Sequence, residues 1–160
     1  ATLQTAQICE QDRIMYFDLR NAVVKNSSSK RRVPISNTLE PLILQLIDER
    51  TGKEGLFDLS VNHDGKTRTS SLCVYWMAKA NLNKKSGDPA ARYTTHSLRG
   101  SFKDKMRDAE VPQEVHNAIL GHDQHTVGAA YGRGPSLGSM KAAVDEASHP
   151  YLDWIASGRT

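Results

Sequence analysis

Four side chains in the second half of the chain have the chemistry to act on a phosphate. His96 and Arg99 stand three apart in "THSLRGSF", His122 closes "ILGH", and Tyr131 sits in "VGAAYGRG". A guanidinium grips phosphate oxygens through paired N–H groups, and an imidazole gives or takes a proton near neutrality. The tyrosine phenol is an oxygen nucleophile of high intrinsic pKa, which needs a base or nearby cations to react. Tyr131 is flanked by Ala129, Ala130, Gly132 and Gly134, which crowd nothing and leave a phenol accessible. Taken singly, each signal is ordinary: an HxxR pair is commonly a surface cation beside a capping histidine, and His122 reads as a helix-terminal imidazole. The His122 and His125 spacing has no cysteine or carboxylate partner at a recurring interval, which argues against a metal. His63, His116 and His149 have no companions and carry no assigned role.

These residues need elements to hold them. "THSLRGSFKDKMRDA" predicts a helix capped by Thr95, with Leu98, Phe102, Met106 and Ala109 along one face. His96 and Arg99 then share the face of its first turn, where the helix N-terminus favours an anion. "VPQEVHNAILG" predicts a second helix, with Pro112 in its first turn and Gly121 as its stop. "SLGSMKAAVDEA" predicts a last helix after "GRGP". Upstream, "NTLEPLILQLIDER" places Leu39, Leu42, Ile43, Leu46 and Ile47 on one apolar face, capped by Thr38 or Asn37. "SSLCVYWMAKANL" reads as a further helix. "RIMYFDL" (13–19), "NAVVK" (21–25) and "KRRVPIS" (30–36) predict a small antiparallel sheet with "NSSS" as a hairpin turn. The sum is an α+β fold, mainly helical, with a small three-stranded antiparallel sheet near the N-terminus.

Bulk composition sets the frame. The 160 residues are 38% hydrophobic, enough for one core, and no apolar run is long enough to span a membrane. The start has no signal-peptide pattern and no Met, so a fragment or processed product is expected. Cys9 and Cys73 form no CxxC pair, and a reduced, cytoplasmic protein is expected. The net charge of +3 is modest, but "KNSSSKRR" holds four cations and no acid, and "NLNKKSGDPAARY" adds three against one. Lys30, Arg31, Arg32, Lys84 and Lys85 are therefore candidates for contact with DNA phosphates.

The combination is more specific than its parts. HxxR leads after 26 residues to "LGH", and "LGH" after nine to Tyr131. This order and spacing resemble the C-terminal catalytic domain of the tyrosine recombinases, the phage integrase family. "RDAEVPQEVHNAILGH" is similar to the family's turn and helix before the second histidine. "YGRGPSLGSM" resembles the post-tyrosine segment of prophage and genomic-island integrases, and "VVKNSSSKRRVPIS" the family's β-hairpin. The likeness runs through nearly the whole chain.

The resemblance implies site-specific recombination of double-stranded DNA at attachment sites. Tyr131 would attack a phosphate, form a 3′-phosphotyrosyl bond and release a 5′-hydroxyl. A second strand's hydroxyl would reverse the step, with no ATP, metal or other cofactor. Arg99 would clamp the non-bridging oxygens, His96 would assist proton transfer at the tyrosine, and His122 would hydrogen-bond the phosphate. Lys25 would protonate the leaving oxygen, with Lys30 in the same turn as its rival. Implied partners are DNA, three further copies of the chain in a synaptic tetramer, and an accessory DNA-bending protein. The implied setting is the bacterial cytoplasm, at the nucleoid.

Departures from the family pattern are visible. Its first arginine is expected a few residues before Ala1, because "ATLQTAQI" looks like the end of the helix that carries it. Arg13 and Arg20 sit in the wrong place to replace it, and Gly100 stands where a second histidine often follows HxxR. Residues 1–160 thus read as a catalytic domain that begins just after the first arginine box, without the N-terminal DNA-clamping domain. Catalysis by this chain alone is expected to be impaired by several kcal/mol, scaled from about 3 kcal/mol for one oxyanion-hole donor. A non-catalytic DNA-binding module and a type IB topoisomerase remain as other readings. The tail "HPYLDWIASGRT" would dock on its own domain or reach a neighbouring subunit.

Overall fold

A computed structural model describes residues 3–22, 29–57, 75, 77–79, 94–122 and 134–147. The sheet comes first. Strand β1 (Ile8–Gln11) turns directly into β2 (Ile14–Asp18), with Gln11 opposite Ile14. The two residues between them, Asp12 and Arg13, have φ of 53° and 61°. A two-residue loop with both φ positive matches the right-handed twist of paired strands, which explains this tight hairpin. Strand β3 (Arg32–Pro34) pairs antiparallel with β2, and the order is β1-β2-β3. The Leu19 N–H donates to the Arg31 carbonyl at 2.9 Å and prolongs that ladder by one step.

The three-stranded antiparallel sheet matches expectation, but its membership differs. Two of the expected strands are present as β2 and β3. Among the described residues the remaining strand is β1; of "NAVVK", Asn21 and Ala22 lie in a turn, and residues 23–28 lie outside the described set. "ICEQ" was hard to see because only Ile8 and Cys9 are apolar, and no Gly or Asn marks the turn. Before β1, "TAQ" makes one short 3-10 turn (Thr5–Gln7). Residues 3 to 5 bond to residues 54 to 56, with Leu56 N–H to Leu3 O and Thr5 N–H to Glu54 O, both 2.9 Å.

Among the described residues the helices with full bounds are α1 (Glu40–Glu49), α2 (Thr95–Asp108), α3 (Gln113–Leu120) and α4 (Leu137–Glu146). Residues 75 and 77–79 are also helical. Helix α1 is entered through Leu39 at its N-cap, without a side-chain cap from Asn37 or Thr38, and a turn from Ser36 leads into it. The Ser36 carbonyl accepts from the Leu39 and Glu40 N–H groups, and Pro41 occupies the first turn, where no N–H is needed. Ile43 is buried on its inner face, whereas Leu42 is exposed. The cap of α2 is Thr94, one residue earlier than expected, and its N–H donates to the Ser97 hydroxyl at 2.9 Å. Ser136 caps α4 by accepting the Ser139 N–H at 3.0 Å.

The helices and sheet share two apolar clusters. Tyr16 of β2 joins Met106 of α2, Val115, Ile119 and Leu120 of α3, and Leu137, Met140, Ala143 and Val144 of α4. Ile35, Ile43 and Leu56 form the second, between the sheet and α1. Met106 is fully buried, so truncating it to alanine would cost about 2–5 kcal/mol. Leu98 does not complete the apolar face of α2 as expected. It is 69% exposed, on the rim of an apolar groove of about 550 Å³ lined also by Val33, Phe102 and Val144. No described helix is long and apolar enough to cross a membrane.

Candidate functional site

The candidate site forms where α3 ends. A helix leaves its last carbonyls without intrahelical partners. Gly121 closes α3 in the left-handed conformation, φ 65°, and the His122 N–H returns to the Asn117 carbonyl at 3.0 Å. Glycine adopts that conformation without strain, and the pattern is the Schellman closure. Two carbonyls, of Ile119 and Leu120, still need donors. Arg31 Nε donates to Ile119 O at 2.8 Å, and Arg99 Nη2 donates to Leu120 O.

Two guanidiniums from distant parts of the chain are thereby pinned to consecutive carbonyls. Arg99 comes from the second turn of α2, and Arg31 from the residue before β3. His122 is the second residue beyond α3, so the turn that ends the helix carries its imidazole to the same place. Lys103, one turn after Arg99 on α2, adds a further positive charge to the surroundings of His122.

Among the described residues the electrostatics have one sign. Burial, then the charges of Arg99, Lys103 and Arg31, hold the His122 pKa below the ordinary imidazole value. Burial and the Arg99 charge push the Arg31 pKa down from its ordinary value. Among the described residues, no carboxylate pairs with either guanidinium. Like charges held together in partly buried surroundings repel, and an incoming anion relieves that repulsion. The arrangement suits a phosphate: paired N–H donors beside an imidazole that is neutral at neutral pH.

The other expected site residues divide into three groups. His96 lies in the first turn of α2, exposed, one turn before Arg99. Lys30 is exposed next to the site. Arg32 faces elsewhere: its Nη1 donates to Gln11 Oε1 at 2.9 Å, and its guanidinium lies 5.7 Å from the Tyr16 ring centre. The "KRR" run is therefore not one patch, because successive strand residues point to opposite sides. Tyr131, Lys25, Lys84 and Lys85 fall outside the described residues.

Lys103 was not foreseen, although its i+4 spacing from Arg99 was a usable signal. The bond from Arg31 to Ile119 spans 88 residues of sequence, and no local pattern could announce it. His116, buried in α3, has no hydrogen-bond partner for either ring nitrogen among the described residues. No protein-family model, no curated protein and no solved structure matches the chain.

Proposed function

We propose that this protein cleaves and rejoins double-stranded DNA through Tyr131, as a site-specific recombinase of the tyrosine type. The observation that carries the proposal is the cluster of Arg31, Arg99 and His122 at the end of α3, with no described carboxylate to neutralise it. In the proposed reaction the Tyr131 oxygen attacks a backbone phosphorus, and the bond to the 5′-oxygen of the next nucleotide breaks. The leaving oxygen takes a proton from Lys25 or Lys30. Arg99 and His122 hold the non-bridging oxygens, whose charge grows in the transition state. His96, at the exposed start of α2, accepts the phenolic proton. Religation runs the same steps backwards from the phosphotyrosine, with the 5′-hydroxyl of the incoming strand as nucleophile. Four copies of the chain would work together on two DNA duplexes.

The same cluster would serve a non-catalytic module that grips backbone phosphates. The test separates the two. The full-length protein is incubated with labelled DNA from its own attachment junction and denatured in SDS. A label that migrates with the native protein but not with Tyr131→Phe supports covalent strand transfer. Equal, salt-sensitive binding by both proteins with no SDS-stable product would leave the binding module.

A further inference from the structure

Arg31 and Arg99 make the same kind of bond to adjacent carbonyls, yet they do different things for the site. Arg99 sits in the HxxR segment and is already assigned to the phosphate. Arg31 stands outside it, in the basic turn before β3, where it was expected to touch DNA nonspecifically. Its geometry fits a more defined role. Its Nε is committed to Ile119 O at 2.8 Å and its Nη1 to Ser29 O at 3.1 Å. Two bonds in different directions fix a planar guanidinium. One bond reaches the turn before β3, and the other reaches the last turn of α3. Arg31 is thus a brace between the sheet and the helix end from which His122 projects.

We infer that Arg31 is a positioning residue, whose guanidinium fixes the end of α3 so that His122 is held against Arg99. The inference rests on the proposed phosphate chemistry for its consequence in the reaction, but not for the brace itself. Two effects follow from one side chain. The hydrogen bond to Ile119 restrains the turn at Gly121, and the positive charge disfavours protonation of His122. The other charged groups that bear on His122 are Arg99 and Lys103, both from α2, and no carboxylate among the described residues opposes them.

Arg31→Lys and Arg31→Met separate these effects. Lysine keeps the charge but cannot reproduce the two-directional fork, whereas methionine keeps the aliphatic stem and loses both. The first readout is the titration of His122, followed by NMR through its imidazole Cε1–H signal in the full-length protein. The His122 midpoint should rise in Arg31→Met and stay near native in Arg31→Lys, while backbone amide signals of residues 119–122 shift in both. The second readout is the SDS-stable DNA complex at neutral pH. Its rate should fall on the order of 10²-fold in Arg31→Met, as a misplaced catalytic group costs, and by less in Arg31→Lys.

An unmoved His122 midpoint in Arg31→Met, with unmoved amide signals at residues 119–122, would overturn the inference. So would equal loss of complex in the two variants with native titration in both, because a plain DNA contact would behave that way. If the native protein forms no covalent complex, the proposed function fails, and the His122 titration still decides the brace. Should Arg31→Met not fold, Arg31→Lys carries the decision through the amide signals of the helix end.

Discussion

Two polar clusters flank the core, one balanced in charge and one, among the described residues, of a single sign. Beyond β3, Lys141 Nζ meets Asp145 Oδ1 at 2.9 Å and Asn37 Oδ1 at 2.6 Å, and Asp145 also accepts the Asn37 N–H at 2.8 Å. Every charge there has its opposite, and the cluster ties α4 to the segment that enters α1. At the end of α3, Arg31 and Arg99 face His122 and Lys103 with no described acid, and they rest on carbonyl oxygens alone. The first cluster is complete as it stands. Among the described residues the second holds positive charge without an acid beside it, a cost that binding an anion would remove. A tether and a candidate anion site thus differ in whether the described residues supply the counter-charge.

The largest expected effect comes from removing charge at the open cluster. Arg99→Ala should lower the rate of covalent complex formation by about 10²- to 10³-fold, the loss typical of one transition-state donor. Asp145→Asn, its counterpart at the closed cluster, should leave that rate within about twofold once the folded fraction is matched. Quenched time courses on both variants would check the contrast. Equal losses would erase the distinction between tether and site.

A pH series sharpens it further. The unfolded chain's His122 takes a proton at the ordinary imidazole value, and the folded one only at lower pH. Its contribution to stability is therefore full above that ordinary value and is lost as pH falls toward the depressed one. A bound phosphate adds negative charge beside the imidazole and favours its protonation. DNA binding should take up protons, and affinity should rise as pH drops below the ordinary imidazole value. Titrations by fluorescence anisotropy at several pH values, with His122→Asn as reference, would measure the slope. A slope unchanged in His122→Asn would detach His122 from the anion.

The smallest effect belongs to the tether. Asp145→Asn weakens the ion pair with Lys141, which is partly shielded from water, and the exposed bond from the Asn37 N–H. Urea denaturation should show a loss of about 1–3 kcal/mol, with no change in the titration of His122. A stability change at the level of measurement error would mean that the tether contributes no net energy.

The two clusters were not equally visible in the sequence. The elements that carry His96, Arg99 and His122 were legible because helix spacing and a glycine stop act within a few residues. Gly121 does take up the left-handed cap, and α3 does end there. The role of Arg31 was hidden, because its partner is the carbonyl of Ile119, and backbone carbonyls are present at every position. The Lys141 and Asp145 spacing was readable as an i,i+4 pair, but the Asn37 contact, 104 residues from Lys141, was not. Strand β1 was missed because its hairpin turn uses Asp12 and Arg13 at positive φ, where Asn-Gly would have announced it. Cap positions moved by one or two residues, to Thr94 for α2 and Leu39 for α1, because packing rather than the nearest Ser, Thr or Asn sets where a helix starts.

The central claim is that Tyr131 becomes covalently joined to DNA. The most direct measurement is peptide mass mapping of the cross-linked, nuclease-trimmed complex. Trypsin cutting after Arg107 and Arg133 releases residues 108–133, which contain both His122 and Tyr131. A nucleotide adduct on that peptide, localised to Tyr131 and matched by a free 5′-hydroxyl at the nick, is the predicted result. An adduct on another tyrosine, or none on DNA that the protein demonstrably binds and nicks, would contradict it.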